Sequence, residues 1–146
     1  MLKLKLPFIL ILIVLTISCA GPGMLTQDIQ QFPEPEENMG IVYFYRPSSL
    51  IGAIISYDIY LDQQRVGRSI NGKYFYLMLE PNQYHFSAQT ESKEEVWVKV
   101  EEGKAYYVKT GVNLGLMVGR PDFQQIPEYS ANEEIRACRY TTIINK

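Results

Sequence analysis

One histidine, His85, and two cysteines, Cys19 and Cys138, supply all the imidazole and thiol chemistry in the chain. A serine or cysteine hydrolase would need His85 as its positioned base. Tyr84 and Phe86 flank it in an alternating stretch, so on a strand the imidazole faces away from the apolar side. It reads as a surface histidine. A zinc centre needs several His or Cys ligands, and the chain after residue 19 has too few, so neither a metal nor another cofactor is expected. No phosphate-cradling glycine loop occurs. Gly111, Gly115 and Gly119 recur every fourth residue, but among strand and loop signals they read as turns or bulges. The acid pairs Glu94-Glu95, Glu101-Glu102 and Glu133-Glu134 are adjacent in sequence. Neighbours on a strand point to opposite faces, so such a pair cannot clamp one glycosidic bond. The expectation is a non-enzymatic protein, with an enzyme using His85 as the remaining alternative.

Cys19 points to different chemistry. Lys3 and Lys5 precede a twelve-residue apolar run, Leu6 to Ile17, followed by Ser18 and Cys19. That is the layout of a secretory signal, and the run is shorter than the roughly 20 residues a spanning helix needs. Thr16-Ile17-Ser18-Cys19 resembles a lipobox, the site of bacterial lipoprotein processing, departing from it at Thr16. The resemblance implies that residues 1–18 are a signal peptide. It implies that Cys19 becomes an acylated N-terminus, with palmitate-type chains on thiol and amine. More than one chain is required for stable anchoring. The competing expectations are a free Cys19 after an ordinary signal, or an uncleaved anchor. Ala20 stands where an aspartate marks inner-membrane retention, which implies outer-membrane sorting in a Gram-negative source.

Three further features remain. With Cys19 acylated, Cys138 has no intramolecular partner. It reads as a small buried apolar residue, or as a free thiol activated by Arg136 and Arg139 or used in an intermolecular disulfide. Arg46 and Arg120 each precede a proline, which favours extended backbone at a strand end. If those ends converge with Tyr57, they form a carboxylate- or phosphate-binding site; otherwise each arginine pairs with a structural acid such as Asp58 or Asp122. Leu50 to Ile55 is either core or, if exposed, a partner surface.

Residues 19–39 after the leader are rich in Pro, Gly, Gln and Glu and read as a flexible tether. From Gly40 the pattern becomes β. Ile41 to Arg46 is a strand stopped by Pro47, and Tyr57, Ile59 and Leu61 alternate with acids. Asn71-Gly72 signals a tight turn into Tyr74 to Leu79, apolar on both faces and expected to be central. Tyr84 to Gln89, Val96 to Val100 and Ala105 to Thr110 add further strands. Ser130 and Glu133 suggest a capping box for a helix over Ala131 to Arg139, with a last strand at Tyr140 to Ile144. Residues 40–146 are therefore expected to fold as one antiparallel β-sandwich of about seven strands, immunoglobulin-like or transthyretin-like, with a short C-terminal helix.

The formal charge is −2, and loss of a leader carrying Lys3 and Lys5 takes it to −4. That argues against nucleic acid as a partner. The segments IVYFYRPSS, SYDIYLD, Gly72 to Thr90, ESKEEVWVKVEEGKAYYVK and LGLMVGRP together resemble an uncharacterised family of bacterial lipoproteins, a domain of unknown function. YFYRP and VGRP are its most specific parts. Gly72 to Thr90 also resembles sandwich repeats of bacterial surface proteins, in which two aromatic strands form a hairpin. The resemblance carries no known activity. It implies a lipid-anchored binding or accessory module at the cell envelope. The alternative is a structural subunit of an envelope complex, held through Leu50–Ile55 or Cys138.

Overall fold

The computed structural model describes residues 32–142. The signal segment, Cys19 and the end of the expected last strand lie outside the described residues. Nine strands and one helix follow in order: β1 (Gly40–Arg46), β2 (Tyr57–Leu61), β3 (Gln64–Ser69), β4 (Lys73–Leu79), β5 (Asn82–Gln89), β6 (Lys93–Val100), β7 (Ala105–Asn113), β8 (Arg120–Ile126), α1 (Glu128–Ile135) and β9 (Arg139–Tyr140). They form two sheets, β8-β7-β1-β4-β9 and β3-β2-β5-β6, stacked as a sandwich. Most pairings are antiparallel, as expected. The exceptions are β1 with β7 and β4 with β9, which run parallel. The chain leaves the first sheet after β4, builds the rest of the second, and re-enters beside β1 in the same direction.

Alternation explains the layers. Val42 and Phe44 of β1 point into the sandwich, where they meet Ile59, Phe75, Phe86, Val98 and Val108. Phe44 stacks on Phe75 and meets Phe86 edge-on at a centroid distance of 4.9 Å. Ile41, Tyr43 and Tyr45 point the other way and are equally buried, because α1 and Phe32 cover that face. A strand buried on both faces carries an unbroken apolar run. That position falls to β1, whereas β4, expected to be central, lies one strand from the edge.

Four other expectations change. Asn71-Gly72 and Pro81-Asn82 each carry the chain from one sheet to the other, so Gly72 to Thr90 is no hairpin: β4 pairs with β1 and β9, and β5 with β2 and β6. The helix begins at Glu128, after Pro127 with φ −58°, and no side chain caps it. Proline presets that backbone and has no polar side chain to accept from the first-turn amides; its carbonyl accepts from Ser130 N and Ala131 N at 3.0 Å each, so Ser130 lies inside the helix. Residues 32–39, read as tether, are in part docked: Phe32 packs on Tyr43 and Tyr74, and the Tyr43 hydroxyl donates to the Pro33 carbonyl. Finally, β8 is a strand that the sequence pattern does not signal, because RPDFQQI is mostly polar and carries a proline at its second position, as an edge strand can.

Candidate functional site

At the end of the sandwich where β1 finishes, two apolar loops project side by side. The first, residues 47–56, joins β1 to β2; the second, residues 114–119, joins β7 to β8. Leu50, Ile54, Leu116 and Met117 are each more than 90% exposed, and Ile51, Leu114 and Val118 are exposed beside them. Scattered exposed apolar residues need no explanation, but a cluster on neighbouring loops marks an interaction surface.

Both loops are tied to the sandwich. Arg46 is 2% exposed, and its guanidinium donates to the carbonyls of Ile55 (2.8 Å) and Gly52 (2.7 Å). Burial lowers its pKa from the ordinary arginine value. Asn71 clasps the same loop from the β3–β4 turn, accepting from Ser49 N (2.9 Å) and donating to Ser49 O (3.1 Å). The second loop wraps a carboxylate. Glu91 accepts the Leu116 amide at 2.8 Å and also the amides of Met117 and Val118. These bonds, that of Val118 foremost, hold its carboxyl below the usual carboxylate range. Gly115 makes room for the carboxylate: a Cβ there would lie 2.4 Å from Glu91 Oε2. Gly119, at φ +92°, packs where a Cβ would meet Val112 at 2.7 Å and Ile55 at 3.1 Å. That contact brings the loops together. Thr90 Oγ1 donates to Gly119 O at 2.6 Å.

The structure divides the residues singled out in sequence. Arg46 lines a cleft of about 270 Å³ with Lys109 and Asp122. Tyr57 is buried below the loops, donating its hydroxyl to Gly111 O at 2.7 Å. Arg120 is exposed at the start of β8, outside that cleft. The alternative pairings also differ from expectation. Asp58 binds Arg65 (2.9 Å) and Arg68 (3.4 Å), and the Asp122 carboxylate accepts from Gln124. Arg46 serves backbone carbonyls instead.

Cys138 is a core residue. Its thiol donates to Arg46 O at 3.4 Å, and burial pushes its pKa up to about 11. That is the opposite of an activated thiol. His85 stacks on Trp97 with centroids 4.4 Å apart, and its Nε2 lies 2.8 Å from Glu95 on the outer face of the second sheet. The Glu133-Glu134 pair is split: Glu134 accepts from Tyr45 (2.9 Å) and Lys109 (2.7 Å), fastening α1 to the sheet. A second concavity, about 500 Å³, lies on the outer face of the first sheet beside Phe32, Pro33, Tyr43 and Tyr107.

Sequence reading missed Glu91. Its partners lie 25 to 27 residues away, and no local pattern announces that pairing. It also missed Leu114 to Val118 as a partner to Leu50–Ile55.

A family model described as "Protein of unknown function (DUF2846)" matches residues 36–119, which takes in both apolar loops. An uncharacterized protein of Haemophilus influenzae is 29% identical over 107 residues, 73% of this chain and 63% of that protein. The chain therefore spans less than two thirds of the relative's length. No solved structure matches it.

Proposed function

The chain belongs to the DUF2846 family of proteins of unknown function, and from that premise we propose that it is a lipid-anchored lipoprotein of the cell envelope. Its sandwich serves as a non-enzymatic binding or accessory module, and its binding surface is the end that carries the two apolar loops. The observation that carries this reading is the pairing of exposed apolar side chains with a locked backbone. Leu50, Ile54, Leu116 and Met117 face solvent, while Arg46 and Glu91 hold the loops that present them. A pre-ordered surface binds without a large ordering cost. The leader and Cys19 supply the anchor, and Ala20 favours the outer membrane in a Gram-negative source. The second reading, a subunit of an envelope complex, uses the same surface. Leu50, Ile51 and Ile54 favour it as much; buried Cys138 does not contribute.

The anchor is tested by fractionating cells that express the wild type and Cys19→Ser. The wild type is expected to stay in the membrane pellet through an alkaline carbonate wash. The variant is expected to be washed off, because several acyl chains resist extraction and protein contacts alone do not. A variant that resists the wash like the wild type contradicts lipidation at Cys19.

A further inference from the structure

We propose that the partner of the loop end is an anionic lipid surface, into which the tips of residues 50–54 and 114–118 insert. The inference rests on the reading of that end as the binding surface and is independent of lipidation.

Three observations favour lipid over a folded partner. The apolar side chains sit on projecting tips, and of those exposed on the two loops the cleft at this end takes in only Ile51. The backbone of the second tip already has its acceptor: the amides of Leu116, Met117 and Val118 bond to Glu91. In the first tip, Gly52 O and Ile55 O are taken by Arg46, and Ile55 N donates to Gly52 O at 2.9 Å. Backbone that enters a bilayer must be satisfied internally.

Charge is the third. Lys73, Arg120 and Arg139 open β4, β8 and β9 at the loop end, and none of the three has an ion pair among the described residues. Most acids near this end are engaged: Glu91 by the loop amides, Asp58 by Arg65 and Arg68, Glu95 by His85 and Lys93, while Glu94 on β6 has no ion pair among the described residues. Asp122 accepts from Gln124. The opposite end is acidic, with Glu36, Glu37, Asp62, Glu80 and Glu102 in its turns. An anionic surface therefore attracts one end and repels the other. The anchor permits this stance. Phe32 packs on Tyr43, at the middle of β1, and on Tyr74, the second residue of β4. The stretch from Cys19 to Phe32, fully extended, reaches about 45 Å, against about 23 Å for a seven-residue strand.

The test places an environment-sensitive fluorophore on the full chain at Ile54→Cys, Met117→Cys or Glu102→Cys. Cys19→Ser serves as background so that only the introduced thiol labels, since Cys138 is buried. Each chain is reconstituted with vesicles of phosphatidylethanolamine and phosphatidylglycerol. Probes at 54 and 117 are expected to shift to the blue. Nitroxide lipids should quench them several-fold more than the probe at 102. Vesicles of phosphatidylcholine alone, or the added changes Lys73→Glu and Arg120→Glu, should reduce that quenching at least threefold. Probes at 54 and 117 that stay as open to aqueous iodide as the probe at 102 overturn the proposal. If they then become shielded on adding an envelope protein extract, the partner is a protein and the binding surface stands. If they stay open there too, the binding-surface reading falls as well.

Discussion

Arg46→Met is expected to destabilise the domain by about 2–4 kcal/mol and to free the 47–56 loop. The estimate follows from two hydrogen bonds to a charged donor, each contributing about 1.5–3 kcal/mol, less the desolvation a buried cation no longer suffers. Methionine keeps much of the stem volume, so the loss falls on the carbonyls of Gly52 and Ile55, which the guanidinium reaches at 2.7 and 2.8 Å. Cys138 uses the backbone carbonyl of the same residue, so that contact survives the substitution. Urea unfolding of the variant should show a lower midpoint with an unchanged slope. Hydrogen exchange should accelerate first at Ile55, whose amide bonds to Gly52 within the loop. An unchanged midpoint would mean that the loop holds itself and that Arg46 is there for something else.

Glu91→Ala is expected to unfasten the second loop with little change in the sandwich. The side chain is exposed, and its contribution is local: three backbone amides lose the acceptor they share. Exchange at Leu116, Met117 and Val118 should rise on the order of tenfold or more, while Val98 and Val108 in the core keep their protection. The same contact sets a pH dependence. Backbone bonds lower the Glu91 pKa in the folded chain relative to the unfolded one, so the unfolded state binds the proton more readily. The stabilisation is therefore complete above about pH 4.3, the unfolded value for Glu. It is lost as pH falls further, through the lowered folded value. Loop amides that stay protected down through that range, or that open well above it, would contradict the assignment. Glu91→Gln should retain part of the protection at every pH, since the amide oxygen still accepts.

How much of this was legible in sequence depends on how far each feature's cause lies from it along the chain. Alternation placed Tyr57, Ile59 and Phe86 inward because a strand's faces are written two residues apart. The unbroken run Ile41 to Tyr45 signalled a fully buried strand as clearly as Tyr74 to Leu79 did. Choosing between them required knowing that α1, nearly ninety residues later, lies over β1. The turn residues Asn71 and Gly72 were recognisable, but a turn does not say whether the chain returns in the same sheet or crosses to the other. The edge strand β8 escaped because an edge needs few apolar residues. Arg46 stood out by its place before Pro47, yet its partners are carbonyls, which no side-chain pattern reveals. Leu50–Ile55 was legible as core or surface, and only burial decided. Glu91 was illegible for the reason that makes it effective: it joins segments from different hairpins.

The direct measurement is the intact mass of the N-terminal peptide from protein isolated from its native membranes. A peptide beginning at Cys19 and carrying diacylglyceryl and amide-linked acyl chains is the result expected of a lipid-anchored envelope module. A peptide that retains residues 1–18, or one that begins at or beyond Cys19 with no acyl chain, would contradict it.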